Sequence, residues 1–343
     1  MPHRKKFIIP VFLPEKGCPH KCVYCNQKTI TGEKESIVTS HYVIDAVYRF
    51  ASYAGKERLP GILAFYGGNF LGISEKEITV LLEVARRLQM ENVIDAIRFS
   101  TRPDTITKRT LDLISEFSIQ AVELGVQSMD DSVLKSAARG HTAKDVEDAV
   151  ILLKKYGFVT GLQMMIGLPD DSKEKCLATA KSIALLDPAF TRIYPTLVIK
   201  GSPLEQLFKN GKYNPISLKE AVFQTADAYE VFESQSVPVI RMGLQAGDGL
   251  VPGETIIAGP YHPAFGELVF SEVFFRKIVD KIQKSGNVRD RLTILTHPGD
   301  ISKVRGQHNA NIQRLKECFG FTDIRVLGDE RYGRGGIEIL YDS

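Results

Sequence analysis

Short apolar runs alternate with segments of helical period along most of the first 200 residues, and this alternation limits the fold more than any other feature of the sequence. FIIPVFL (7–13) reads as a strand, 40–54 as a helix, and GILAFYGG (61–68) as a strand ending in glycines. A helix follows over 74–90. Ile78, Leu81, Leu82, Ala85 and Leu88 fall on one of its faces, and Ser74 with Glu77 forms a capping box at its start. The pattern continues with strands at 96–100, 121–127, 159–168 and 190–199, and with helices at 107–117, across 130–157 and at 172–187. Six strand–helix units fit before residue 200. A repeat of roughly 30–35 residues suits parallel strands joined by helical crossovers. A doubly wound sheet and a (β/α) barrel both satisfy such a string, and in both the chemistry collects where strands end and helices begin. The notable residues obey that rule. Three cysteines follow the first strand, Gly67-Gly68 the second, Thr101-Arg102-Pro103 the third, Gln127 the fourth and Gly167-Leu168-Pro169 the fifth. Glycine and proline end strands everywhere, but the recurrence favours one shared site.

After about residue 200 the rhythm changes. A helix starts at Ser217, with Glu220 completing another capping box. Strand 237–245, a Gly/Pro-rich loop over 247–266, helix 267–284, strand 292–297, helix 301–319 and short strands at 323–327 and 336–341 complete the chain. The expected organisation is an α/β barrel core over 1–202 and a C-terminal α/β elaboration over 203–343 that packs on it and supplies the substrate side. The 343 residues, 43% hydrophobic and 25% charged, are a globular composition. The net charge of +3 neither implies nor excludes a nucleic-acid partner. No apolar stretch reaches the 18 residues of a spanning helix. The basic and then apolar N-terminus is broken by Pro10, Pro14, Glu15 and Lys16, and no small-residue cleavage site follows. A cytoplasmic protein that does not enter membranes is expected.

Five cysteines, an odd number, argue against a secreted disulfide framework. Cys176 and Cys318 stand apart beside apolar residues and read as core. Cys18, Cys22 and Cys25 lie within eight residues as C-x3-C-x2-C. Bare thiols so close repel one another as thiolates and oxidise readily. A zinc site completed by His20 is one solution, but zinc sites usually carry a second distant pair of ligands. An iron–sulfur cluster explains the spacing better. A cubane takes four ligands; three on one loop leave an iron open.

With Tyr24 at the aromatic position, the segment resembles the C-x3-C-x-aromatic-C motif of radical S-adenosylmethionine enzymes. That resemblance implies a partial (β/α)6-type barrel, a [4Fe–4S] cluster on Cys18, Cys22 and Cys25, and S-adenosylmethionine chelated to the open iron. It also implies reductive cleavage to a 5′-deoxyadenosyl radical that abstracts hydrogen from substrate, with a reductant such as flavodoxin or ferredoxin. Tyr66-Gly67-Gly68-Asn69 resembles the glycine pair that holds the methionine amino group, with Asn69 where Glu or Thr is common. Ser100-Thr101-Arg102-Pro103-Asp104 resembles the family's E-[ST]-x-P-[DE] segment, with Ser100 in place of the acid. Glu123 to Ser128 and Arg139-Gly140-His141-Thr142 match well. The resemblance places Gln127 on the ribose hydroxyls, Arg139 near the cofactor carboxylate, and Gln163 at another cofactor-facing position.

Over roughly residues 7–235, and most clearly through Arg192 to Gly201, the chain is similar to the radical domain of the Elongator catalytic subunit. That likeness makes tRNA the first substrate to consider. The acetyltransferase domain and the RNA-binding segment expected in that family are not recognised, so acetyl-CoA-dependent uridine modification is not implied. The coproporphyrinogen dehydrogenase branch carries a fourth cysteine where this chain has Gln27, and its haem-chaperone relatives use a Trp that this chain lacks. Radical chemistry on a protein or small metabolite, or a non-catalytic cluster-binding role, are the alternatives. Arg241, Gln245 and His262 are the candidate substrate residues, with Tyr261, His297, Arg305 and His308 behind them. Arg4, Lys5, Lys6, Lys16 and Lys21 form a basic rim suited to phosphates.

Overall fold

The computed structural model describes residues 7–31, 39–54, 60–244, 249–286 and 290–342. Its main sheet has seven parallel strands, hydrogen-bonded in chain order: β1 (Ile8–Phe12), β2 (Gly61–Tyr66), β3 (Ile94–Thr101), β4 (Ile119–Gln127), β5 (Thr160–Ile166), β6 (Phe190–Pro195) and β8 (Val239–Met242). The crossovers carry α1 (Gln27–Thr31), α2 (Ser40–Ala54), α3 (Glu75–Met90), α4 (Lys108–Ile114), α5 (Asp131–Ser136), α6 (Ala143–Lys155), α7 (Lys173–Leu185), α8 (Pro203–Lys209) and α9 (Leu218–Ser234). The result is an open, partial (β/α) barrel. Because every strand runs the same way, the C-terminal ends of all seven share one rim.

Six units were expected; the seventh strand, β8, comes from beyond residue 203. The strand expected over 190–199 breaks after Pro195. Its remainder, β7 (Val198–Ile199), pairs antiparallel with β9 (Ile256–Ala258) from the Gly/Pro-rich loop. The helix expected over 301–319 is two, α11 (Ile301–Arg305) and α12 (Ala310–Phe319). They are separated by Gly306 and by His308 and Asn309, both in the left-handed region at φ 53° and 61°. With α10 (Phe265–Ser285) they cover a three-stranded sheet in which β10 (Arg291–Thr296) lies between β11 (Asp323–Gly328) and β12 (Ile337–Asp342).

The strands alternate between two environments, as their period of two requires. On β4, Val122, Leu124 and Val126 pack into the apolar core with Val146, Val150 and Leu153 of α6, while Glu123, Gly125 and Gln127 take the inner face. Stacked rings anchor this core: Phe70 lies 4.5 Å from Phe99 and 5.0 Å from Phe65, centroid to centroid. The core runs on through Ala221, Ala226 and Phe232 of α9 to Val273 of α10. A second cluster starts at Phe274 and serves the three-stranded sheet. Residue 203 therefore falls inside the barrel layer, and the change of core falls within α10.

Cys176 is buried, as expected, but Cys318 is exposed. The apolar stripe of α12 runs through Ile312, Leu315 and Phe319, and Cys318 sits beside that stripe rather than on it. No helix among the described residues is long and apolar enough to cross a membrane.

Phe99 is fully buried, whereas Leu185 is 82% exposed. Phe99→Ala should lower unfolding free energy by about 3–5 kcal/mol and Leu185→Ala by less than about 0.5 kcal/mol, read from urea midpoints at constant slope.

Candidate active site

The cysteine segment leaves β1 and is pinned at several points. Leu13 N–H donates to the Tyr66 carbonyl at 2.7 Å, Val23 N–H to the Ala137 carbonyl at 3.1 Å, and Leu204 N–H to the Val23 carbonyl at 2.7 Å. Val23 and Tyr24 pack among Val133, Ala137, Leu168, Val198 and Leu204. Gly68 and Gly17 allow the chain to pass close to itself. A methyl group on Gly68 would lie 2.3 Å from the Leu13 carbonyl oxygen and 2.7 Å from that of Lys16, and Gly17 adopts φ +73°. Asn69, fully buried, ties this crossing together. Its amide donates to the Gly17 carbonyl at 2.7 Å, and its oxygen accepts from Thr101 Oγ1, Thr105 Oγ1 and Arg102 N–H at 2.7–3.0 Å. Asn69, singled out for cofactor contact, uses its side chain to hold the cysteine loop to the end of β3.

Arg139 is buried beside the thiols. Its Nη1 donates to Cys22 Sγ at 3.3 Å and to the Tyr24 hydroxyl at 3.1 Å, and its Nη2 donates to the Gly125 carbonyl. Arg102 is held by both oxygens of Asp104 at 2.9 Å and donates to the Arg139 carbonyl. Several buried polar atoms in this region have no partner among the described residues: Arg102 Nη1, Arg139 Nε, Gln127 Oε1 and His141 Nδ1. Such orphans are costly unless a ligand or water completes them. Gln127 also has φ 70°, an unfavourable conformation held in place by its surroundings. His20, considered as a zinc ligand, places its ring against Gly140.

The thiols fit a cluster. Burial, with Cys22 and Cys18 adding, pushes the Cys25 thiol up to about 12, and burial with Cys22 raises Cys18 while Arg102 and Arg139 oppose. Metal would replace those protons, and Arg139 supplies a counter-charge. Among the described residues no three Cys, His, Asp or Glu side chains converge tightly enough for a single ion. A cubane, with one thiolate at each of three corners, asks for wider spacing than zinc, whose ligands share one centre.

Residues 13–183 match the radical SAM superfamily and residues 188–274 match its C-terminal domain. The chain belongs to the radical SAM superfamily. It is therefore an enzyme of that superfamily, whose members use a [4Fe–4S] cluster and S-adenosylmethionine. Over 119 residues it is 41% identical to a tRNA uridine(34) acetyltransferase of Dehalococcoides mccartyi, covering 34% of this chain and 26% of that one. It is 28% identical to an uncharacterised protein of Methanocaldococcus jannaschii over 66% of this chain and 72% of the other. It is also 28% identical to human Elongator complex protein 3, over 53% of this chain and 39% of that one. The chain thus spans well under half of the two named enzymes. The archaeal Elp3 of Methanocaldococcus infernus shares the fold, with a TM-score of 0.60, 21% identity, and coverage of 82% of this chain and 63% of that one.

Of the residues singled out in the sequence, the structure brings Cys18, Cys22, Cys25, Tyr24, Gly67, Gly68, Arg102, Gln127 and Arg139 to the rim, and Ser100 and Gln163 to the lumen below it. Gln163 Nε2 donates to Glu123 at 3.0 Å and to Ser100 at 3.3 Å. Arg139, expected at the cofactor carboxylate, donates to the Cys22 thiol through Nη1, while its Nε and Arg102 Nη1 have no partner among the described residues. His262 is used locally, its Nδ1 accepting from Ala264 N–H at 3.1 Å as the chain enters α10. Gln245, Arg4, Lys5 and Lys6 lie outside the described residues. Lys16 pairs with Glu77 at 2.6 Å, which removes it from the basic rim. Sequence reasoning missed the lumen group of Tyr66, Arg98, Glu123 and Arg192. Strand alternation around Glu123 was the available signal. A cavity of about 770 Å³ between α10 and the α11–α12 segment, bordered by Arg305 and His308, is lined by none of these rim or lumen residues.

Two outcomes are expected. Gly68→Ala should weaken S-adenosylmethionine binding at least about tenfold by equilibrium dialysis, while Gly333→Ala, whose methyl meets nothing within 4 Å, should not. His141 is held down to about 4 by burial, then by Arg139 and Arg102. Below the ordinary histidine value of about 6.5 the unfolded chain takes a proton that the folded one refuses. Stability should therefore fall as pH drops from about 6.5 towards 4, by up to about 3 kcal/mol. Denaturation at stepped pH should show this slope flattened in His141→Asn; an unchanged slope would contradict the assignment.

Proposed function

We propose that this radical S-adenosylmethionine enzyme acts on RNA, with tRNA as its substrate. The observation that carries the cofactor assignment is the convergence of unpartnered buried atoms, Arg102 Nη1 and Gln127 Oε1, beside a loop of three thiols. In this reading Cys18, Cys22 and Cys25 hold the cluster. Arg102 Nη1 donates to the cofactor carboxylate. Gln127 Oε1 accepts from a ribose hydroxyl. Gly67, at φ +90°, and Gly68, which lets the cysteine loop cross close to it, shape the backbone that meets the methionine end. Arg139 offsets charge on the Cys22 thiolate. Bound together, the cluster and S-adenosylmethionine supply one-electron cleavage of the sulfonium and hydrogen-atom abstraction. A low-potential carrier such as flavodoxin or ferredoxin delivers the electron, and the free thiols suit the reducing cytoplasm. The RNA assignment is supported by the 41% identity to an enzyme named for tRNA uridine 34. Acetyl transfer is not part of this reading.

The test is anaerobic reconstitution with iron and sulfide, then dithionite and S-adenosylmethionine, with 5′-deoxyadenosine measured in the presence of total tRNA or ribonuclease-digested tRNA. Intact tRNA should raise the yield several-fold, and a variant with Cys18, Cys22 and Cys25 all changed to Ala should give none. Equal yields with intact and digested tRNA would remove RNA from the assignment.

A further inference from the structure

The lumen of a (β/α) barrel is usually filled by branched apolar side chains. Here it is charged. Glu123 is fully buried, and its carboxylate lies 2.8 Å from Arg192 Nε and 3.6 Å from Arg98 Nε. It also accepts from Tyr66 Oη at 3.3 Å and from Gln163 Nε2 at 3.0 Å. One carboxylate thus faces two guanidinium groups.

A third joins them at the open edge. The ladder between β6 and β8 pairs Thr191 with Val239 and then Arg192 with Arg241, so Ile240 is an extra, bulged residue. The bulge changes which side chains face inward. Val239 and Met242 pack on the helix-side core, Ile240 is 46% exposed, and Arg241 comes beside Arg192 on the lumen face. Arg241 has no hydrogen-bond or ion-pair partner among the described residues, and it sits on the last strand of the sheet. Tyr194, half-buried on the same face, accepts from Arg192 Nη1 at 3.3 Å, which leaves its own proton to donate.

Three guanidinium groups against one carboxylate leave positive charge in the lumen without a counter-ion among the described residues. S-adenosylmethionine does not supply one. With an ammonium, a sulfonium and a single carboxylate it is itself net cationic. We infer that the β6–β8 edge, through Arg192, Tyr194 and Arg241, binds an anionic group of the substrate, a phosphate or a carboxylate. A guanidinium fork beside a hydroxyl donor matches either oxyanion. The inference rests on the proposed function and takes the lumen beneath the cysteine loop as the place where the substrate meets the cofactor.

The experiment is calorimetric titration of the reconstituted protein, saturated with S-adenosylmethionine, with inorganic pyrophosphate and with citrate as probes. Saturable binding of one probe is expected, weakened at least about tenfold in Arg241→Gln and several-fold in Tyr194→Phe. Arg331→Gln, a change far out on an 80% exposed side chain, should bind as the unmodified protein does. Tighter pyrophosphate binding assigns a phosphate, and tighter citrate binding a carboxylate. The inference is overturned if neither probe saturates, or if Arg241→Gln binds as well as the unmodified chain. S-adenosylmethionine affinity, measured in the same samples, should be unchanged by Arg241→Gln. Its absence in the unmodified protein would overturn the underlying reading instead.

Discussion

The guanidinium of Arg139 is the fixed point of the site. It reaches the Cys22 thiol, the Tyr24 hydroxyl and the Gly125 carbonyl at once, joining the cysteine loop to the inner face of β4. Arg102 in turn is held by Asp104 and donates to the Arg139 carbonyl, which adds the end of β3 to the same assembly. A buried guanidinium is tolerable only when its donors are met. Arg139 Nε and Arg102 Nη1 have no partner among the described residues.

This arrangement depends on the parallel sheet. Seven strands in chain order put every strand end on one rim, so short stretches far apart in sequence meet without long loops. The same alternation gives each strand two duties. Outward side chains such as Val122 and Leu124 build an apolar core with the helices, while the inward set of Ser100, Glu123, Gln163 and Arg192 forms a polar chamber. Stability and chemistry are thus assigned to opposite faces of the same strands, and a register slip of one residue would exchange them.

Where local rules dominate, the sequence was legible. The helix capped by Ser74 and Glu77 forms with its capping box in place, and the five residues read as its buried face are its buried residues. Ser217 and Glu220 repeat the pattern on α9. The cysteine spacing and the strand-end glycines located the rim. What was not legible depended on pairing between distant segments. The strand over 237–245 was read, but its bulge at Ile240 exists only because β8 docks on β6. The break after Pro195 reflects the pairing of β7 with β9 out of a loop. The hydrogen bonds of Asn69 were not legible because its four partners come from Gly17, Thr101, Arg102 and Thr105, which meet it only after folding.

In the proposed site three cysteines hold a cluster with one iron reserved for S-adenosylmethionine, next to the unpartnered Arg102 Nη1 and Gln127 Oε1. Mössbauer spectroscopy of iron-57-reconstituted protein, before and after addition of S-adenosylmethionine, addresses this most directly. About four irons per chain are expected, with the signal of one of them changing on addition while the other three stay as they were. Four equivalent irons that ignore S-adenosylmethionine, or a chain that loads a single ion, would contradict it.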